Sequence, residues 1–99
     1  MHVITRRTLR QFAERYHVAG KPLDDWYYTA SRAHWQNISE VRADFPSADA
    51  VGKCTVFNIG GNKFRLIVKV RFDRQVIYVR FVLTHREYDK GGWKNDCNR

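Results

Sequence analysis

This chain has little of what marks many protein classes. Among its 99 residues are two cysteines, Cys54 and Cys97, and two prolines. Two cysteines that far apart do not make the disulfide framework of a small secreted domain. The expectation is therefore a reducing setting, with Cys54 a small packed side chain in a strand and Cys97 an incidental thiol of the tail. No apolar run approaches the roughly 18 residues that a membrane-spanning helix requires. The first residues, MHVITRRTLRQF, carry charge but no apolar stretch of the signal-peptide kind. A soluble, cytoplasmic protein is expected. Its four histidines, His2, His17, His34 and His85, are too scattered to suggest metal ligation, and no HExxH, paired CxxC, P-loop or GxSxG motif is present. No metal or cofactor is expected. There is no internal repeat, low-complexity tract or linker, so residues 1–99 are read as one domain.

Acidic residues are also scarce. Ten Asp and Glu stand against 18 Lys and Arg, for a net charge of +8. That balance attracts polyanions: nucleic acid, an anionic membrane or an acidic protein. A chain this short buries roughly 60–70% of its unfolded surface, which leaves little room for an enclosed cavity, so a substrate should lie across the surface.

Apolar periodicity gives the elements. His2 to Ile4 reads as a short strand, and Thr5 can cap a helix after it. Leu9, Phe12, Ala13 and Tyr16 then form a helical stripe. Gly20 suits a helix stop, and Pro22 the first turn of a second helix. There Leu23, Trp26, Tyr27, Ala30 and Ala33 continue the apolar stripe to about Gln36. Asn37 to Phe45 reads as a third helix, with Asn37 and Glu40 at capping-box spacing. PSADAVGK reads as a loop. Trp26 and Trp35 belong to core or interface, whereas Trp93 in GGWKND is the better candidate for an exposed contact.

Three antiparallel strands follow. Gly60-Gly61 is a strong two-residue hairpin turn. It would pair Phe57 with Phe64, Val56 with Arg65 and Asn58 with Lys63. A turn at Asp73-Arg74 would pair Val70 with Ile77, Val68 with Val79, Leu66 with Phe81 and Phe64 with Leu83, and also Lys69 with Tyr78 and Ile67 with Arg80. One face then carries Phe57, Phe64, Leu66, Val68, Val70, Ile77, Val79, Phe81 and Leu83. The other carries Asn58, Lys63, Arg65, Lys69, Arg71, Tyr78 and Arg80. That face has no acid on its two long strands, which favours a surface for nucleic acid or an acidic partner over a merely solvated face. Ile67, Val76 and Val82 share it, so part of it should be covered, for instance by a partner.

After the last strand comes Thr84-His85-Arg86-Glu87-Tyr88-Asp89-Lys90. RNA cleavage can proceed without a cofactor: a base takes the 2′-OH proton, the oxygen attacks phosphorus, and an acid protonates the leaving 5′-oxygen. Histidine suits the base or acid role. Arg and Lys can hold the phosphate. Tyr can stack on a base or orient the nucleophile. The competing reading is a helical cap in which Tyr88 packs and His85 is solvated.

Three segments carry a family resemblance: MHVITRRTLRQFAERY, VFNIGGNKFRLIVKV and YVRFVLTHREYDK. Together they resemble the HigB branch of the RelE/ParE-like toxins. The resemblance implies an α+β, RelE-like fold with N-terminal helices packed on an antiparallel sheet. It also implies a type II toxin that cleaves mRNA, commonly in the ribosomal A site, and a cognate antitoxin bearing a helix-turn-helix. It places the phosphate-binding arginine at Arg65 and the acid/base or stacking position near His85 and Tyr88. The favoured reading has His85 as base or acid, Arg65 and Arg80 on the phosphate, and Tyr88 as orienter or stack. Asn58, Lys63, Lys69, Arg71, Tyr78, Arg80, Arg86 and Lys90 would contact RNA. This chain departs from RelE on the strand before the Gly-Gly turn: it has Asn58 where RelE has lysine, so lysine assistance would have to come from Lys63, Lys69 or Lys90. Two other readings stand beside this one, a ParE-like gyrase poison that does not cut RNA and a non-catalytic RNA-binding module.

Overall fold

The computed structural model describes residues 1–98. Strand β1 (His2–Ile4) leads into helix α1 (Arg6–Arg15), a 3-10 turn (His17–Ala19), α2 (Gly20–Arg32) and α3 (Ile38–Asp44). Four strands follow, β2 (Asp49–Val51), β3 (Cys54–Ile59), β4 (Phe64–Arg71) and β5 (Val76–Thr84), and then two short helices, α4 (His85–Lys90) and α5 (Lys94–Cys97). The sheet order is β1-β5-β4-β3-β2, with β1 parallel to β5 and the other neighbours antiparallel. The fold is α+β, as expected. Among the described residues, no helix is long and apolar enough to cross a membrane.

The apolar stripes of α1 and α2 bury on one sheet face. Leu9, Leu23, Trp26 and Ala30 meet Phe57, Leu66, Val68 and Ile77 there. Aromatic edges set much of this contact: Trp26 lies 5.5 Å from Phe57, and Phe45 lies 5.1 Å from Phe57. Asn37 caps α3 by accepting from the Glu40 N–H at 3.0 Å. Glu40 reaches back one residue further than a capping box requires, accepting from the Gln36 N–H at 2.8 Å.

Several local expectations change. Gly20 is not a stop: its φ of −57° is helical, and it opens α2, while α1 has already ended at Arg15. Helix α2 ends at Arg32, short of Gln36. The loop PSADAVGK contains the edge strand β2, because Asp49 and Ala50 find partners in Val56 and Thr55. The glycine hairpin is longer than two residues. Phe57 pairs with Leu66, Asn58 with Arg65 and Ile59 with Phe64, so residues 60–63 form the connection. Gly60 and Gly61 both have positive φ, as expected, but the register is shifted by two. An even shift keeps every side chain on its assigned face.

The β4–β5 register has the larger consequence. Val70–Ile77, Lys69–Tyr78 and Val68–Val79 pair as expected. A bulge between Ile67 and Val68 then places Ile67 opposite Phe81, Leu66 opposite Val82 and Phe64 opposite Thr84. The extra residue, Arg80, lies on β5, so the β5 residues beyond it swap faces while those of β4 keep theirs. Val82 therefore joins the main core, while Phe81 and Leu83 turn to the opposite face. There they meet Val56, Ile67, Tyr88, Trp93, Cys54 and Cys97 in a second, smaller core.

Candidate functional site

The second core is built by the C-terminal segment folding back over the face expected to be basic and covered in part by a partner. Thr84 starts it. Its hydroxyl accepts from the Glu87 N–H at 3.2 Å, and the Glu87 carboxylate accepts from the Thr84 N–H at 3.0 Å. This reciprocal cap makes HREYDK a helix directly at the end of β5. The Thr84 N–H holds the Glu87 carboxyl below its ordinary range. Gly91, at φ 75°, closes α4, and the chain turns so that Trp93 packs beneath Tyr88. Their rings stack at 4.9 Å and 14°, and the Trp93 indole donates to the Tyr88 carbonyl at 2.9 Å. Trp93 is 5% exposed, so it is not the exposed contact the sequence suggested. Cys97 is bonded to Cys54, with their Cα atoms 5.2 Å apart, so it is not an incidental thiol either.

One cluster forms where α4 meets the β3–β4 connection. The His85 N–H donates to the Lys63 carbonyl at 3.1 Å, which ties the start of α4 to the turn. Arg65 is 7% exposed, the only charged side chain classed as buried among the described residues. Its guanidinium donates to the Phe64 carbonyl at 3.0 Å and to the Asn62 side-chain oxygen, and it lies 5.3 Å from the centre of the Tyr88 ring. Two of its five N–H donors are thus committed, and the fork is fixed in orientation. Asn58 faces Arg65 across the β3–β4 pair. His85 is half-exposed, and its Nδ1 lies 3.0 Å from Asp89 Oδ2. HREYDK is a capped helix in which Tyr88 packs, against Trp93 and Arg65, and His85 is half-exposed at its first position.

Other residues expected to contact RNA sit elsewhere. Arg80 makes a forked pair with Asp96, at 2.8 and 3.0 Å, and Lys69 lies 3.6 Å from the same carboxylate. The Asp96 carboxyl is lowered from its ordinary range, first by the Arg80 hydrogen bond. The acid missing from the strands is supplied by the tail. Arg80 is therefore not placed beside Arg65 on a common ligand. Arg71 is paired with Asp73 at 3.0 Å. It stands six residues along β4 from Arg65, about 20 Å at the usual strand rise. Tyr78, opposite Lys69, lies toward that same distant end. Arg86 and Lys90 are exposed on α4, beside the cluster.

Sequence reasoning missed Asn62, Glu87, Asp89, Trp93 and Asp96. The Thr84/Glu87 spacing was the one signal that could have located α4. The others act through the bulge and the tail fold-back, which have no local signature. Among the described residues, no group of three His, Cys, Asp or Glu side chains could hold a metal. A groove of about 490 Å³ lies between α1 and α2, lined by residues that include Arg6, Leu9, His17 and Tyr27; it contains no residue of the Arg65 cluster.

Residues 19–91 match the HigB toxin family, described as the RelE-like toxic component of a toxin–antitoxin system. The mRNA interferase toxin HigB of Escherichia coli K12 is 37% identical over 92 residues, which cover 90% of this chain and 88% of that protein. The mRNA interferase HigB of Escherichia coli O6:H1 is 28% identical over 93 residues, 91% of this chain and 90% of that protein. With a family match across most of its length and a relative above 30% identity over nearly all of it, the chain belongs to the HigB toxin family of RelE-like toxins.

Proposed function

We propose that this protein is an endoribonuclease that cleaves mRNA, in the manner named for its relatives, and that the Arg65–His85–Tyr88 cluster is its active site. The buried, oriented Arg65 against the Tyr88 ring carries the reading. A guanidinium with committed donors and a fixed plane is expensive to bury unless its remaining N–H groups have a use. A phosphate held by Arg65 would use them. His85 is the base that takes the 2′-OH proton or the acid that returns one to the 5′-oxygen. Asp89 supports it at Nδ1, leaving Nε2 for substrate. Tyr88 orients the nucleophile or stacks on the neighbouring base. Asn58, Lys63, Arg86 and Lys90 surround this point and hold the flanking backbone. Lys69, Arg80, Arg71 and Tyr78 lie further along the same face, where a longer strand of RNA would reach them. The reaction needs no metal. A ribosome-bound mRNA is the proposed substrate, and an antitoxin with a helix-turn-helix is the proposed partner.

The test is induction of wild type and His85→Ala in a bacterium without the antitoxin, with growth and transcript integrity followed together. Arrest with cut transcripts from wild type, and neither from the folded variant, is expected. Arrest by both with intact mRNA would replace this reading with a gyrase-poisoning mechanism of the ParE kind. Salt-sensitive RNA binding with neither arrest nor cleavage would reduce the protein to a binding module.

A further inference from the structure

The C-terminal segment is fastened at several points. Cys97 is bonded to Cys54 at the start of β3. The Lys53 N–H donates to the Cys97 carbonyl at 2.7 Å. Gly52 has φ +58°, and a Cβ there would stand 2.5 Å from that same carbonyl, so turn and tail meet backbone to backbone. Asp96 receives Arg80 and Lys69. Trp93 stacks beneath Tyr88, and Tyr88 lies against Arg65. One unbroken series of contacts runs from the sulfur–sulfur bond to the Arg65 guanidinium.

We propose that the segment Trp93–Cys97 is a redox-dependent positioning device for Tyr88 and Arg65, with Trp93 as the positioning residue and the Cys54–Cys97 bond as the switch. This rests on the ribonuclease reading above. The reductant is a dithiol. One of its thiolates attacks a cysteine sulfur, the Cys54–Cys97 bond breaks, and its second thiol resolves the mixed disulfide. Two electrons and two protons pass to the cysteines, and the dithiol leaves as its own disulfide. Cys54 is 2% exposed and Cys97 is fully buried, so attack follows fraying of the tail.

A four-residue helix cannot hold itself in place once that tie is cut. Two effects of opposite sign follow. Tyr88 loses the ring beneath it, so the cluster is less well positioned. Asp96 also leaves Arg80 and Lys69, so the face becomes more positive toward RNA. The device therefore predicts a lower kcat with RNA affinity kept or improved, whereas plain unfolding would lose both.

The experiment measures kcat, KM and RNA affinity for oxidised and dithiothreitol-treated protein, with free thiols counted. It includes Cys97→Ser, Trp93→Ala and Trp93→Phe, and follows hydrogen exchange at the Lys53 amide. Reduction, Cys97→Ser and Trp93→Ala should each lower kcat, by up to about a hundredfold, the scale of a misplacement of about 1 Å, with KM unchanged or lower. Trp93→Phe should restore most of kcat, and the Lys53 amide should lose protection on reduction. Two free thiols with unchanged kcat would overturn the proposal. So would a Lys53 amide that stays protected after reduction, or a joint loss of kcat and affinity. An oxidised protein that folds with Lys53 protected yet cuts no RNA would sink the ribonuclease reading, and the catalytic consequence proposed here would fall with it.

Discussion

Arg65 shows how one residue can serve both the fold and the site. Its register partner Asn58, its own neighbour Phe64 and Asn62 surround a charge that ordinarily stays in water. On an exposed sheet face, as the sequence suggests, Arg65→Ala should cost little stability but much activity. Burial changes that, because the substitution removes a packed side chain and leaves the buried Phe64 without the partner of its carbonyl. Urea melts should show a loss of roughly 1–3 kcal/mol for Arg65→Ala, the cost of leaving such a group unpaired. Leu66→Ala, which empties a fully buried position between the helices and the sheet, should cost roughly 2–5 kcal/mol. Arg65→Lys keeps the charge and loses the planar fork, so cleavage should fall while RNA affinity largely survives. Equal cleavage by the lysine variant would show that the fork is not what the site uses.

At the scale of elements, α4 matters most. It exists because Thr84 and Glu87 satisfy each other's backbone donors, and its first residue is His85. Thr84→Ala should cost about 1 kcal/mol, the usual worth of an N-cap. It should also loosen His85, visible as faster amide exchange across residues 85–88. Glu87 adds a pH signature. Its carboxyl is held below the ordinary range by the Thr84 N–H, so the native state favours the ionised form. That contribution is complete above the unfolded carboxyl pKa of about 4.3 and is lost as pH falls through the lower folded value. Asp96 behaves the same way, through Arg80. Acid titration followed by NMR should therefore show the Thr84 amide and the Arg80 side chain changing only in the acid range, below that pH. Changes centred near neutral pH would contradict the assigned partners. The helices α1 to α3 were legible in the sequence because their apolar spacing is local. Strand β2 was not, because three residues of PSADAVGK become a strand only when β3 offers a partner.

For the whole molecule, charge and the sulfur bridge make separate predictions. If Lys63, Arg65, Arg86 and Lys90 hold the RNA backbone, affinity should fall with salt at a log–log slope of about −3. Arg86→Ala should lower that slope by about 0.7, one phosphate contact's share for single-stranded RNA. Arg71→Ala, at the far end and paired with Asp73, should leave the slope for a short RNA unchanged. The Cys54–Cys97 bond closes a loop across 43 positions and joins tail to sheet. Opening it should lower stability by roughly 2–4 kcal/mol, read from denaturant midpoints of oxidised and reduced protein.

The sequence by itself determined the helix faces, the β-hairpin faces near their turns, the excess of basic charge and the chemistry-bearing string HREYDK. All of these follow from periodicity and residue type, which need no knowledge of distant partners. Only the tertiary structure decided what lies on the second face of the sheet. A single bulge, with Arg80 the extra residue of β5 opposite Ile67 and Val68, moves Phe81 and Leu83 to that face, and the apolar patch they form has to be covered. The tail covers it, bringing Trp93 under Tyr88, Asp96 to Arg80 and Cys97 to Cys54. Bulges and fold-backs are settled by the balance of packing across the whole chain. That is why the partners of Arg65 and Tyr88 could be named only once the fold was in view.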